Sequence, residues 1–289
     1  MSSPPDRPLE AVPNVSEGRD GAVVGAIGRA LSRDARLLDV HSDEDHNRSV
    51  YTLVGSDETL VESLLAGVEC ARDLIDLRRH EGVHPRIGAA DVVPIVPIVP
   101  EDMERAKAAA RRLAERIAGE LGLPVFLYGE IGGGRTPADF RRGDPSELVP
   151  DLGPPALHET AGGVIVGARR PLIAFNVNLA RGASVETARE IAAVVRERDG
   201  GFPGVRALGL DLPRAGRAQV SMNVEDWEAA ALHEIVAAVE REARARGVEV
   251  EGSELVGLMP AGAAAVAAGA VLHIDGFDAS RLLELRLLG

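Results

Sequence analysis

The sequence predicts an α/β protein, an α+β sandwich of two subdomains in which helices cover mixed sheets and a ligand cleft lies between them. Apolar segments of strand and helix spacing occur in the order β-α-β-β-α-β over residues 9–98, and the same order returns over residues 164–256. Two helical crossovers with a hairpin between them describe a ferredoxin-like layout. The 289 residues are enough to bury two ordinary cores. We therefore expect subdomains at residues 1–169 and 170–289.

The elements of the first half are predicted from apolar spacing and from residues that cap helices. Ser56 or Asp57 is a favourable cap for the helix that follows it. Pro100 opens a second helix with an acidic first turn, and Gly122 ends it. The predicted order is strand 9–12, helix 23–31, strand 36–40, strand 49–54, helix 57–75, strand 92–99, helix 101–121 and strand 125–128.

The second half follows a long irregular segment, residues 129–163, that is rich in glycine and proline. Loops of this length in compact proteins are usually functional or disordered. The arginines of this segment, among them Arg135 and Arg141, favour a loop that covers a ligand. The elements expected after it are strand 164–177, helix 184–198, strand 205–211, strand 218–224, helix 226–244 and strand 254–256.

One segment, His80–Pro100, places titratable side chains directly before an apolar run that reads as a buried strand. His84 precedes a proline and follows glycine and valine, so it cannot lie within a helix. An imidazole with a pKa near 6.5 can take and return a proton at neutral pH, which predicts a catalytic base. A histidine that only caps the end of a strand is the alternative. His80 and His84 have zinc-ligand spacing, but Gly82 and Pro85 argue against the helix that a zinc site would need, so no metal is expected.

Other polar segments allow two interpretations each. The tip at residues 41–48 is either a solvated hairpin or a donor for a substrate carboxylate through Asn47 and Arg48. Asn176 and Asn178 share one face of a strand, which is either a wet face or part of a binding site. The glycine-rich residues 129–136 resemble a phosphate loop but lack its lysine and its helix start, so a surface loop is the better interpretation.

The composition narrows the class of protein. A formal net charge of −13 disfavours nucleic acid and anionic membranes as partners. No run of 18 apolar residues occurs, so no membrane span is expected. The single cysteine, Cys70, excludes an internal disulfide. The first residues lack the basic and apolar regions of a signal peptide, so we expect a cytoplasmic protein.

Taken together, several stretches resemble the formiminotransferase domain of the formiminotransferase-cyclodeaminase family. They run in order through almost the whole chain, which makes the resemblance more specific than any one motif. The matching stretches are Val12–Gly18, Leu37–Val40, Asn47–Arg48, His84–Asp91, Tyr128–Glu130, Ala174–Leu179 and Gln219–Ser221.

The resemblance implies transfer of a formimino group from N-formimino-L-glutamate to N5 of tetrahydrofolate, with tetrahydrofolate as a co-substrate, in histidine breakdown. It also implies a homodimer of two-subdomain chains and His84 as the catalytic histidine. The chain has no room for a cyclodeaminase domain, so a single activity is expected. The substrate-binding positions implied are Asn14, His41, Asn47, Arg48, Arg86, Glu130, Asn176, Asn178 and Gln219. The folate-binding positions implied are Gly153, Pro154, Pro155, Ala156, Leu157, His158, Glu159, Thr160, Ala161 and Gly162.

The chain departs from the family pattern in two places. His41 stands where the family has an acidic residue, and Leu157 and Ala161 stand where the folate segment has aromatic residues. Two alternatives therefore accompany the main prediction. The same fold could act on another formimino donor or acceptor, or the chain could be a non-catalytic protein that binds a folate-like ligand.

Overall fold

The structure, a computed structural model, describes residues 7–142, 144, 147–283 and 285. The chain divides into two compact units, Met1–Arg170 and Pro171–Gly289. Each unit has its own sheet and its own buried apolar core, so each is described by itself. Among the described residues, no helix combines the length and apolar character that a membrane span requires.

The N-terminal unit contains seven strands and three α-helices within its described residues. Its strands are β1 (Leu9–Ala11), β2 (Asn14–Val15), β3 (Arg36–Asp43), β4 (Arg48–Gly55), β5 (Ala90–Pro97), β6 (Val125–Gly129) and β7 (Val164–Ala168). Its helices are α1 (Gly21–Leu31), α2 (Asp57–Leu74) and α3 (Met103–Glu120).

The N-terminal sheet begins as the predicted β-α-β-β-α-β unit and is then extended. The short strands β1 and β2 share one position between β4 and β5, and both are antiparallel to those neighbours. The edge strand β3 pairs with β4 on one side. On the other side β7 lies parallel to β5, and β6 lies parallel to β7. The additional strands β6 and β7 supply the parallel pairs of the described sheet, and they give β5 a buried, central position.

Local chemistry accounts for the helices of this unit. Ser56 caps α2 because its side chain accepts a hydrogen bond from the amide of Thr59. Asp20 caps α1 in the same way, through the amides of Ala22 and Val23. All three helices contribute apolar side chains to one face of the sheet, where they form the large core.

The opposite face of the N-terminal sheet carries a smaller apolar group, which we call the open-face cluster. Its buried members are Ile87, Val92, Phe126, Tyr128, Phe140 and Ile165. The loop after β6 contributes Phe140, whose ring centroid lies 5.4 Å from that of Phe126. Arg135 packs its guanidinium carbon 5.1 Å from the centroid of the Phe140 ring. The long loop is therefore anchored to the sheet, and it brings its next residue, Arg141, over β5.

The C-terminal unit has the β-α-β-β-α-β order throughout its sheet. Its elements are β8 (Ile173–Leu179), α4 (Val185–Val195), β9 (Val205–Leu212), β10 (Arg217–Val224), α5 (Leu232–Ala245), β11 (Val250–Val256) and α6 (Ala261–Leu272). The strand order is β11-β8-β10-β9, and every pair is antiparallel. The predicted fold class, an α/β protein with helix-covered sheets in two subdomains, is confirmed. The mixed sheet expected in each subdomain is found in the N-terminal unit, whereas the C-terminal sheet is antiparallel, because its β-α-β-β-α-β order pairs each strand with an antiparallel neighbour.

Two predicted elements were wrong in their limits. The single strand expected over residues 164–177 is two strands, β7 and β8, which belong to different sheets. The dipeptide Arg169–Arg170 and the following Pro171 separate them, because a proline cannot donate to a strand ladder. The helix expected from residue 226 begins only at Leu232, because the amide of Ala229 is taken by the side chain of Asp226 in a turn.

Candidate active site

A buried carboxylate forms the centre of the polar site in the N-terminal unit. Asp91, with 0% of its surface exposed, lies at the start of β5. Its Oδ2 accepts hydrogen bonds from Arg48 Nη1 at 2.7 Å and from Arg141 Nη2. Its Oδ1 accepts the backbone amide of Ile87 at 2.8 Å. Burial opposes ionisation, but the two guanidinium groups outweigh it and hold the pKa of Asp91 well below its usual range.

The cluster carries more positive than negative charge, because two guanidinium groups share one carboxylate. Asn14 in β2 offers Oδ1 to Arg48, at 3.1 Å from Nε and 3.0 Å from Nη2. Burial lowers the pKa of Arg48 to about 10, so the side chain stays protonated at neutral pH. Arg141 Nε is buried and has no hydrogen-bond partner among the described residues. The site thus presents an excess positive charge beside the segment that contains His84.

His84 lies in the loop that leads into β5, half-buried and next to this charge cluster. Its Nδ1 is 2.8 Å from the carbonyl oxygen of Pro85, and a carbonyl can only accept, so Nδ1–H is the donor. In the neutral ring the lone pair is therefore on Nε2. The imidazole stacks on that of His46, with ring centroids 5.8 Å apart and an interplanar angle of 26°.

The surroundings of His84 favour its neutral form. Burial lowers its pKa well below 6.5, and the positive charges of Arg48 and Arg141 lower it further, while Asp91 acts in the opposite direction. At neutral pH the ring is consequently uncharged and its Nε2 is able to accept a proton. The pKa near 6.5 expected from the sequence was therefore too high: the ring is free to accept a proton, but it is a weaker base, and its conjugate acid a stronger acid, than a free imidazole.

The turn between β3 and β4 holds the loop of His84 from one side. Asn47 has the positive φ of +47° that asparagine tolerates better than most residues. Its Oδ1 accepts the amide of Gly18, and its Nδ2 donates to the carbonyl of Glu81, both at 2.9 Å. A Cβ atom on Gly82 would lie 2.4 Å from the carbonyl oxygen of His46, so only glycine allows this close approach. Asn47 thus joins three loops that surround the site.

Arg86 and His80 brace the same loop from within. Arg86 Nη2 donates to the carbonyls of Gly82 and His84, each at 2.6 Å, and its Nη1 donates to His80 Nδ1. His80 Nε2 is 3.0 Å from the carbonyl oxygen of Asn47. The guanidinium contacts are thus to the loop itself; a contact with a substrate carboxylate stays a prediction.

The segment 153–162 lies against the residues that follow His84. Gly88 and Gly162 form an isolated antiparallel bridge, and the amide of Ala89 donates to the carbonyl of Ala161 at 2.8 Å. His158 closes the turn, since its amide donates to the carbonyl of Gly162 at 2.9 Å. Leu157 packs against the open-face cluster, and Ala161 is buried in the large core. Gly153–Ala156 form the start of the segment, where Gly153 has a φ of +86°, and Arg78 pairs with Glu159 at its exposed end.

The amide residues expected in the second half form a separate polar cluster on the C-terminal sheet. Asn176 and Gln219 are buried, and Asn178 is half-buried. Gln219 Nε2 donates to Asn178 Oδ1 at 3.0 Å, and Asn176 Nδ2 donates to Glu254 Oε2 at 3.1 Å. All four side chains lie on the face of the sheet opposite its helices, because β8 and β10 place their apolar side chains in the core. Glu254 is a member that the sequence did not single out.

Two further predicted residues lie at the edge of these clusters. His41 is half-buried in the edge strand β3, in register with Val50. Glu130 is exposed in the turn after β6, where its amide donates to the carbonyl of Ala168 at 2.9 Å. No group of three or more His, Cys, Asp or Glu side chains suited to a metal ion occurs in the part of the chain that the structure describes.

Comparison with known proteins gives matches over nearly the whole chain. Residues 8–169 match the family model of the formiminotransferase domain, N-terminal subdomain, and residues 174–275 match that of the formiminotransferase domain. A glutamate formimidoyltransferase of Streptococcus pyogenes serotype M1 is 40% identical, over 97% of this chain and 99% of its own length. A glutamate formimidoyltransferase of Thermoplasma acidophilum is 37% identical, over 96% of this chain and 97% of its own length.

A longer relative matches over part of its length. A formimidoyltransferase-cyclodeaminase of Gallus gallus is 41% identical over 87% of this chain, and the match covers 50% of that protein. The two family models together span most of the chain, and the relatives exceed 30% identity over nearly all of it. The chain therefore belongs to the formiminotransferase family.

Proposed function

We propose that the protein transfers the formimino group of N-formimino-L-glutamate to N5 of tetrahydrofolate, giving 5-formiminotetrahydrofolate and L-glutamate. Family membership and two nearly full-length relatives named glutamate formimidoyltransferase support this activity. The observation that carries the mechanism is the neutral imidazole of His84. It donates through Nδ1 to the Pro85 carbonyl, which leaves Nε2 as the proton acceptor.

The reaction requires that N5 of tetrahydrofolate lose a proton and that the nitrogen of the departing glutamate gain one. When N5 attacks the amidine carbon, a new N5–C bond forms, and the nitrogen must lose its proton, which Nε2 of His84 accepts. When the bond between that carbon and the glutamate nitrogen breaks, His84 returns the proton to the departing amine. Because the environment lowers the pKa of His84, the imidazolium is a stronger acid than in water and protonates the leaving nitrogen readily.

The charge cluster of Asp91, Arg48 and Arg141 attracts anionic substrates, because it carries a net positive charge. N-formimino-L-glutamate and the glutamate tail of tetrahydrofolate both carry carboxylates. Arg48 and Arg141 leave a net positive charge after pairing with Asp91, so a substrate carboxylate beside them gains attraction in a partly dry site. We propose that Arg141 is the nearer donor, since its buried Nε has no partner among the described residues.

The remaining predicted contacts divide between the two polar clusters. We propose that Asn14, Asn47 and His41 shape the donor site, and that Asn176, Asn178 and Gln219 contribute to substrate binding from the C-terminal sheet. The segment 153–162 is proposed to contact tetrahydrofolate, and its backbone pairing with Gly88 and Ala89 joins it to the stretch that follows His84. The side chain of Ala161 is buried in the large core and cannot contact folate, whereas that of Leu157 is half-buried and can.

We also propose that the protein is a cytoplasmic homodimer whose ligands are its small-molecule substrates, with no nucleic acid or membrane partner. Size-exclusion chromatography with light scattering tests the dimer, with a mass of about twice 30.4 kDa expected. A monomer at assay concentrations would contradict it.

The activity itself is tested with purified protein, N-formimino-L-glutamate and tetrahydrofolate, with each substrate omitted in turn. Formation of 5-formiminotetrahydrofolate only when both are present is the expected result. Folate binding by calorimetry without turnover would favour a non-catalytic binding protein. Turnover of other amidine donors but not of formiminoglutamate would favour a different donor.

A further inference from the structure

We propose that Arg86 and His80 are positioning residues, which hold the loop of His84 through one continuous chain of hydrogen bonds from Asn47 to the His84 carbonyl. The inference rests on the proposed function insofar as His84 is the base. It assigns His80 a role, and it assigns Arg86 to the enzyme's own backbone rather than to a substrate.

The guanidinium of Arg86 is the first link. Its Nη2 donates to two carbonyl oxygens of the catalytic loop, those of Gly82 and His84, each at 2.6 Å. These carbonyls precede and flank the catalytic ring, so the planar fork fixes the backbone on which the ring is mounted. Pro85 accepts the hydrogen bond of the His84 ring, and its position depends on the same backbone.

His80 is the second link, and its two ring nitrogens have opposite roles. Nε2–H must donate to Asn47, because the partner atom is a carbonyl oxygen. Nδ1 must accept from Arg86, because a guanidinium has only donors. Only the neutral imidazole with its proton on Nε2 satisfies both contacts. A second proton, on Nδ1, would point at the guanidinium and break the chain of hydrogen bonds.

The surroundings keep His80 neutral. Burial lowers its pKa, and the positive charges of Arg86 and Arg19 lower it further, while the hydrogen bond to Asn47 and the charge of Glu17 act in the opposite direction. His80 is half-buried. The neutral form that the geometry requires is therefore the form that the local charges favour.

Asn47 anchors the far end of the chain. Its backbone carbonyl accepts the hydrogen bond from His80 Nε2. Its side-chain Oδ1 accepts from the amide of Gly18, and its Nδ2 donates to the carbonyl of Glu81. Asn47 itself immediately precedes β4, which lies inside the sheet. The catalytic loop is thus tied to the turn that leads directly into β4, and the strand limits the movement of this turn, which is the support that a catalytic side chain needs.

Arg86→Lys separates positioning from substrate binding. Lysine keeps the positive charge but not the planar fork that reaches two carbonyls and a ring nitrogen. We expect kcat to fall roughly 10- to 100-fold while KM for both substrates stays within about twofold, since misplaced catalytic groups lose rate rather than binding. A tenfold rise in KM for either substrate with kcat retained would overturn the inference and make Arg86 a substrate ligand.

A pair of variants at His80 tests the second link. In His80→Gln the amide can still donate and accept, so we expect activity within about threefold of the wild type. His80→Leu can do neither, and we expect its kcat to fall roughly as far as that of Arg86→Lys. Arg79→Gln, which removes a side chain that is 87% exposed, is the matched control and should leave kcat unchanged. Equal activity of the leucine and glutamine variants would overturn the role of His80.

A spectroscopic measurement tests the inference without turnover. The 13Cδ2 chemical shift of the His84 ring reports which nitrogen carries the proton. We expect the chemical shift of the Nδ1–H tautomer in the wild type and in His80→Gln. In His80→Leu we expect a shift between the values of the two tautomers, because both would be populated. An unchanged shift in the leucine variant would contradict positioning. Absence of formimino transfer in the wild type would instead contradict the proposed function. The chemical shift of His84 would still decide whether His80 positions the loop, because it is measured without turnover.

Discussion

Replacement of Asp91 by asparagine tests how strongly the charge cluster holds the site together. Asparagine keeps the shape of the side chain and an oxygen for the amide of Ile87. It removes the negative charge that pairs with Arg48 at 2.7 Å and with Arg141. Two guanidinium groups would then remain close together in a partly dry region without a counterion.

The size of the effect follows from burial. Asp91 is 0% exposed, and the side chains of Arg48 and Arg141 are 9% and 14% exposed. Removal of one partner from a buried ion pair typically costs about 3–5 kcal/mol, because the remaining charge is left uncompensated. For a unit of this size, that loss corresponds to a drop of roughly 6–20 °C in melting temperature.

The assay is thermal unfolding followed by circular dichroism, with Asp73→Asn as the matched control. Asp73 also pairs with an arginine, but its side chain is 56% exposed, so its loss should cost under about 1 kcal/mol. The folded state holds the pKa of Asp91 below its unfolded value, so the ionised carboxylate stabilises the protein above the unfolded pKa. The difference between wild type and Asp91→Asn should therefore be constant from pH 6 to 8 and shrink below about pH 4.

Two results would refute this reasoning. The first is an Asp91→Asn variant as stable as the Asp73→Asn control, since the cluster would then be held by something other than charge. The second is a stability difference that widens as the pH falls, since this would mean that the carboxylate is protonated in the native state near neutral pH.

Three further predictions concern the same unit. The value of kcat/KM should be constant from pH 6.5 to 8 and fall at lower pH, because burial lowers the pKa of His84 well below 6.5. A pH–rate profile in which kcat/KM falls with a midpoint at or above pH 6.5 would contradict this. Asn47→Ala should lower the free energy of unfolding in urea by about 1 kcal/mol more than Asn47→Gly does, because glycine adopts φ +47° without the strain that alanine has there. Equal free energies of unfolding would argue against a strained turn. Gly88→Ala should lower the free energy of unfolding in urea by about 3 kcal/mol, because its Cβ would lie 1.8 Å from the Gly163 carbonyl oxygen. The control Gly119→Ala, in α3, has open space around the new Cβ and should raise that free energy by up to about 1 kcal/mol. Similar effects of the two substitutions would refute the close contact at Gly88.

The fold was predictable because its signals are local. Helix caps such as Ser56 and the apolar run after Asp91 are read from neighbouring residues, and both are found where expected. The limits of β7 and β8 were not predictable in this way, because an apolar run does not reveal to which sheet it belongs. That assignment is made by pairing with β5 and β6, which are distant in sequence.

The candidate site was predictable only in part, for the same physical reason. His84 could be singled out because its neighbours exclude a helix. The pairing of Arg141 with Asp91 joins residues 50 positions apart and depends on Phe140 anchoring the loop, so no local pattern marks it. The role of His80 depends on which nitrogen is protonated, and only the positions of Asn47 and Arg86 reveal that.

The most direct test of the account is the turnover of His84→Ala with formiminoglutamate and tetrahydrofolate, with and without added imidazole. We predict that kcat falls roughly 10²- to 10⁴-fold, the usual contribution of a general acid–base, and that free imidazole restores part of it. The melting temperature should stay near that of the wild type, since the half-buried ring bonds only to the carbonyl of Pro85 and stacks on His46 among the contacts described. A folded variant that keeps more than about a tenth of the wild-type kcat would contradict His84 as the proton carrier.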